Sequence, residues 1–161
     1  MSTSYLETVR ASWTTELETI VAGATYRNTV AEVYQEMRES FPAYPSIVFL
    51  LGQGTLKAKN DAWSLYDLYI PFFVICEIKA DSAVTATSTL VAAQDSLLHD
   101  VMRVIATLYT KNITAASGPK WNIQNDPPVM FTPVFPTGEN VGEFVLYGTL
   151  HIRNLDSSFD D

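Results

Sequence analysis

His99 and His151 are the only histidines of the chain, and Cys76 is its only cysteine. Two imidazoles can form a metal pair, and one can serve as a general base. Neither has Asp, Glu or Cys around it at ligand spacing, so each reads as an ordinary surface or interface histidine. His99 falls opposite the apolar stripe of a helix, and His151 falls on the wetter face of a strand. Cys76 lies mid-strand among aliphatic residues. A nucleophilic thiol needs an electropositive, partly open setting, so this one reads as buried filler. A single cysteine also excludes an internal disulfide and every multi-cysteine zinc pattern. Gly52-Gln53-Gly54 follows a strand, but no third glycine and no Lys-Ser/Thr pair comes after it. It reads as a turn, not a nucleotide loop. Asp95 and Asp100 are five positions apart on one helix, on different faces, and read as solvated. Lys57 and Lys59 are too few for a phosphate patch, and no Gly-x-Ser-x-Gly elbow occurs. The expectation is a chain with no catalytic, cofactor-binding or metal-binding residues.

What the sequence has in surplus is dry surface. Trp63, Tyr66, Tyr69 and Phe73 lie on an extended stretch that helices cover from one side only. Phe131, Val134 and Phe135 sit in a proline-rich arm. Contiguous exposed apolar patches mark partner surfaces. The candidate interface residues are Leu56, Lys57, Lys59, Trp63, Tyr66 and Phe73, with residues 52–61 as a contact loop. The competing reading is that residues 26–44 fold back as a lid over the aromatic residues, and that residues 52–61 are a solvated hairpin tip.

The elements that position these residues follow from periodicity. Ser4 and Glu7 have capping-box spacing. Leu6, Val9, Trp13, Leu17 and Ile20 then fall within about 80° of a helical wheel. Gly23 suits the stop of that helix. Residues 26–40 are ambiguous between a short helix and an arm. Residues 46–51 are apolar on both faces and read as a buried strand. Residues 62–80 are extended: Leu68, Ile70, Phe72, Val74, Cys76 and Ile78 form one continuously apolar face. Pro71 cannot donate to a ladder and marks an edge or a bend. A second helix spans residues 87–109, with Leu90, Leu97, Leu98, Val101, Val104, Ile105 and Leu108 on about 120° of arc. Ser117-Gly118-Pro119 reads as a turn and residues 121–124 as a short strand. An edge strand or arm occupies residues 129–135, Thr137-Gly138 turns the chain, and a long strand closes it through residues 144–153. The predicted fold is α+β, an antiparallel or mixed β-sheet with two long helices packed on one face. Residues 1–155 form one domain, and residues 156–161 an acidic tail.

Composition narrows the class further. The chain has 161 residues, 47% hydrophobic and 17% charged, against about 25% charged in ordinary globular chains. That excludes intrinsic disorder. Eighteen acids against ten bases give a net charge of −8, a sign that repels phosphate backbones and anionic lipid. The longest apolar run, residues 70–76, is far short of the ~20 needed to cross a membrane. No signal-peptide pattern occurs at the N-terminus. The expectation is a soluble protein made in a reducing compartment.

The order of elements resembles the tail terminator proteins (tail completion or minor tail proteins) of long-tailed bacteriophages. The segments that carry the resemblance are the N-terminal helix, the strand entry Tyr44-Pro45-Ser46-Ile47-Val48-Phe49-Leu50, and the long strand over residues 68–80. The helix segment Ser96-Leu97-Leu98-His99-Asp100-Val101-Met102 and the closing strand Gly142-Glu143-Phe144-Val145-Leu146-Tyr147-Gly148-Thr149-Leu150-His151-Ile152 complete it. Residues 26–44 are longer than the family pattern leads one to expect. The resemblance implies a homo-oligomeric ring, a hexamer, at the top of the tail tube. It implies contacts with the tail-tube protein and the head-tail connector protein, and DNA passing through the lumen without specific binding. It implies no cofactor, no catalytic residues and no membrane. It also implies a virion protein of the neck, assembled in the host cytoplasm. Two other functions fit the same reading: another head-tail connector or head-completion protein, and, in a different class, a small-ligand-binding or enzymatic α+β domain.

Overall fold

The computed structural model describes residues 4–80, 89–115 and 120–155. The first helix, α1 (Tyr5–Glu18), starts where the capping box predicts. Glu7 N donates to Ser4 Oγ at 3.3 Å, and Ser4 N donates to Glu7 Oε2 at 3.0 Å. The helix ends earlier than Gly23: its C-cap is Thr19, whose amide bonds Glu16 and Leu17 carbonyls. Val9, Trp13 and Leu17 form its buried stripe.

Strands follow: β1 (Glu32–Tyr34), β2 (Ser46–Leu51), β3 (Thr55–Ala58) and β4 (Tyr66–Lys79). The ambiguous 26–40 segment is therefore a strand entry, not a short helix. Its three residues gain a parallel ladder on β2, with Val33 opposite Ile47. The second helix, α2 (Leu90–Thr114), is capped by Thr89, whose side chain accepts from Ala92 N at 3.2 Å. It runs past the predicted end at Tyr109. Its 25 residues measure about 37 Å at 1.5 Å per residue. Then come β5 (Trp121–Ile123), β6 (Met130–Phe131), β7 (Phe135–Gly138) and β8 (Val141–Leu155). The predicted turn at Thr137-Gly138 is the end of β7. The chain reverses one step later, where Asn140 takes a φ of 58°. The predicted helix start at residues 87–88, the predicted turn at 117–119 and the predicted acidic tail at 156–161 lie outside the described residues.

All eight strands join one mixed sheet in the order β1-β2-β4-β8-β5, with β3 also on β4 and β6 and β7 also on β8. The fold is α+β. Strand β4 is an inner strand, yet it holds Pro71. The proline is tolerated because β2 has ended and β3 has not begun opposite it. Gly52 N donates to Pro71 O at 2.8 Å, and the reciprocal bond that a proline cannot give falls at this break. A Cβ at Gly52 would sit 2.7 Å from Pro71 Cγ, so the close approach requires glycine.

Alternation on the strands divides the core. Leu68, Ile70, Phe72, Val74, Cys76 and Ile78 belong to a cluster that also holds the buried side chains of α1 and α2, with Phe49, Phe144 and Trp121. Trp13 is its centre, stacked on Phe49 at 4.8 Å and tilted against Phe72 and Trp121. A second, smaller cluster holds Tyr34, Val48 and Ile75, with Phe41, Leu50, Phe73 and Val145 against it.

Asp100 corrects the solvated assignment. It is fully buried. Its carboxylate accepts from Arg27 N at 3.0 Å, Asn28 N at 2.9 Å and Asn28 Nδ2 at 2.8 Å. It thereby fastens the connection after α1 to the middle of α2. Asp95, in contrast, is exposed.

Candidate subunit interface

The structure gathers five of the six candidate residues on one hairpin. On β3, Leu56 is opposite Leu68, and Lys57 is opposite Asp67. Lys59 and Trp63 lie in the connection to β4, and Tyr66 opens β4. The tip is a built turn. Lys59 N donates to Leu65 O at 2.9 Å, and Trp63 N to Asn60 O at 3.2 Å. Ser64 N donates to Asn60 Oδ1 at 3.1 Å, and Asn60 Nδ2 to Ser64 Oγ at 2.6 Å. Trp63 takes a φ of 54° within this turn and leaves 56% of its surface exposed. Leu56 is 51% exposed and Leu65 is 39% exposed. Large apolar groups thus stand outward from a backbone fixed by its own hydrogen bonds. The 52–61 segment is not a loop throughout, since Thr55–Ala58 pair with β4.

Tyr66 and Phe73 are less free than the sequence reading has them. Tyr66 packs partly against the main cluster. Phe73 lies farther along β4, in the second cluster, where the Tyr34 and Phe41 side chains of the 26–44 segment also pack. That segment therefore shields the neighbourhood of Phe73, as the lid reading predicts, and leaves Trp63 uncovered. Tyr69 stacks on the His151 ring at 4.4 Å.

Lys59 is committed inside the molecule. Its Nζ donates to Asn154 Oδ1 at 2.6 Å and lies 3.3 Å from Asp67 Oδ1. Asp67 also bonds His151 Nε2 at 3.1 Å and accepts from Asn154 N at 3.1 Å. Burial opposes the Asp67 carboxylate, but bonds from His151, Asn154 and Lys59 outweigh it and hold its carboxyl below the ordinary value. This network joins the hairpin to β8. Sequence spacing does not signal it, because Asp67 and His151 are 84 positions apart. His99 is exposed on α2. Cys76 is fully buried, and burial, with the Glu77 and Glu143 charges, pushes its thiol far up.

Further apolar side chains are exposed on the strands that flank β8: Met130 and Phe135 share one face of the sheet, opposite Tyr147 and Glu143, while Phe131 is on the other, opposite Leu146. Met130 and Phe131 of β6 and Phe135 of β7 are each about half exposed. Phe131 and Phe135 belong to the proline-rich arm, while Met130 and Leu65 are additions from the structure. Among the described residues, no three His, Cys, Asp or Glu side chains are grouped to hold a metal ion, and no helix is long and apolar enough to cross a membrane.

Fold and surface together define an α+β domain with an apolar hairpin presented at one end of a mixed sheet. No family model matches the chain, and no curated protein matches it.

Proposed function

We propose that the protein is a structural ring subunit, the tail terminator of a long-tailed bacteriophage, which ends the tail tube and meets the head-tail connector. The observation that carries this reading is the hairpin: Leu56, Trp63 and Leu65 held outward by a hydrogen-bonded turn. Exposed apolar groups on a fixed backbone lose little entropy when a partner covers them. Tryptophan is enriched at interface centres, and the Lys59 charge on this hairpin is already paired with Asp67. Met130 and Phe135, exposed on one face of the sheet beside β8, give the chain a second apolar surface. A ring needs two, since each subunit meets its neighbours through unlike faces. The net charge of −8 suits a lumen that DNA crosses without sticking.

Light scattering over a range of protein concentration and salt tests the reading. The expected species is six times 17.9 kDa, alone or on tail-tube protein. Leu56→Asp and Trp63→Asp are expected to stay folded by circular dichroism, because about half of each side chain is already exposed. Both lose assembly, since each buries an unpaired carboxylate at the joint. A wild-type chain that neither self-associates nor binds tail-tube protein overturns the proposal.

A further inference from the structure

Beyond the apolar hairpin, a polar cleft of about 400 Å³ opens where β5, the following residues 124–126, α2 and the end of β8 meet. Tyr109, Asn122, Gln124, Asp126, His151 and Arg153 line it. Four of these, His151, Asn122, Tyr109 and Arg153, are held by neighbours. His151 is clamped between the Tyr69 ring and the Asp67 carboxylate, which takes Nε2 and leaves Nδ1 without a hydrogen bond to the described residues. The Asn122 amide, in the orientation that satisfies its neighbours, donates to Tyr109 Oη at 3.0 Å. Its oxygen then accepts from Arg153 Nη2 at 2.9 Å and Nε at 3.3 Å.

Arg153 is the unusual member. Acids outnumber bases eighteen to ten, yet among the described residues no carboxylate lies within ion-pair distance of its guanidinium. A guanidinium has five N–H donors in a planar fork. Asn122 engages one edge, which orients the group and leaves the Nη1 and outer Nη2 donors for a second acceptor. That second fork matches the two oxygens of a carboxylate. The Asp126 carboxylate in the same wall disfavours a doubly charged phosphate more than a singly charged acid. We propose that this cleft is a binding site for a carboxylate, held on the Arg153 fork beside His151 and the Gln124 amide. The source is either a free small acid or an acidic side chain of a protein partner; the receiving chemistry is the same.

The test is an NMR titration with acetate at constant ionic strength, followed at Arg153 Nε and the His151 ring. Saturable shifts at both groups are expected, with inorganic phosphate binding more weakly. Arg153→Gln, a substitution at an exposed residue, raises the acetate Kd at least tenfold while circular dichroism stays unchanged. Asp126→Asn lowers that Kd severalfold and narrows the margin over phosphate. A blocked peptide with one glutamate separates the sources: binding tenfold tighter than acetate assigns the cleft to a partner's side chain, and equal binding assigns it to a free acid. Shifts that never saturate, or that persist unchanged in Arg153→Gln, overturn the proposal. Loss of acetate binding leaves ring assembly untouched, so this inference and the ring proposal fail separately.

Discussion

Glu77 and Glu143 stand directly opposite each other on β4 and β8, and Glu77 is only 5% exposed. Burial, then the hydrogen bond to Glu143 and its charge, pushes the Glu77 carboxyl up to about 8 from 4.5. Two like acids in one dry place hold a proton that a solvated pair gives up. The folded state therefore binds more protons than the unfolded chain between about pH 4.5 and pH 8. Its stability falls as pH rises through that window and levels off above it. Glu77→Gln keeps a hydrogen-bonding partner for Glu143 and removes the ionisation. Urea melts at pH 5, 6.5 and 8 are expected to show a steady loss in the wild type and a flatter profile in the variant. Asp67 does not mask this effect: its lowered carboxyl places its own loss of stability at lower pH. The sequence shows Glu77 as the first polar residue on an otherwise apolar face. Its partner lies 66 positions away and is fixed only by strand register.

Asp100 shows how an element constrains a connection it never touches in sequence. Its carboxylate bonds the Arg27 and Asn28 amides and the Asn28 side chain, across 72 and 73 positions. Asp100→Ala leaves two backbone donors without their acceptor and is expected to cost about 2–4 kcal/mol. Asp100→Asn keeps one acceptor oxygen and costs less. Urea melts give the size, and faster amide exchange at residues 27 and 28 gives the place. A trace of this was legible: Asp100 sits three and four positions from Leu97 and Val104, on the flank of the apolar stripe. Five-residue spacing from Asp95 hid it. The elements with strong local signals, α1 with its capping box, β2, α2 and β8, were readable because their patterns repeat over many residues. Strands β1, β6 and β7 have three, two and four residues. Such lengths hold no period, and these strands exist through pairing with β2 and β8. Within the candidate interface, the exposed Trp63 and Leu56 were legible from type and spacing, whereas the pinning of Lys59 by Asp67 depends on tertiary contact.

The long pairing of β4 with β8 runs from Tyr66 opposite Leu155 to Lys79 opposite Val141. It crosses the middle of the sheet and joins the main core cluster through residues on both strands. Native-state hydrogen exchange is expected to be slowest for residues 70–78 and 144–152, and faster in the short strands β1 and β6, which have three and two residues. Equal protection in those short strands would count against this ranking. The same ladder has a consequence in time. Strand β4 is complete 62 residues before β8 begins. At the ~5–20 residues per second of synthesis, that interval is roughly 3–12 s. For that long, β2 can pair one side of β4, but the other offers its row of free amides and carbonyls along the most apolar stretch of the chain. An unpaired apolar edge recruits other chains. The nascent protein is therefore most vulnerable to aggregation late in translation, and slower decoding between residues 80 and 140 is expected to lower its soluble yield.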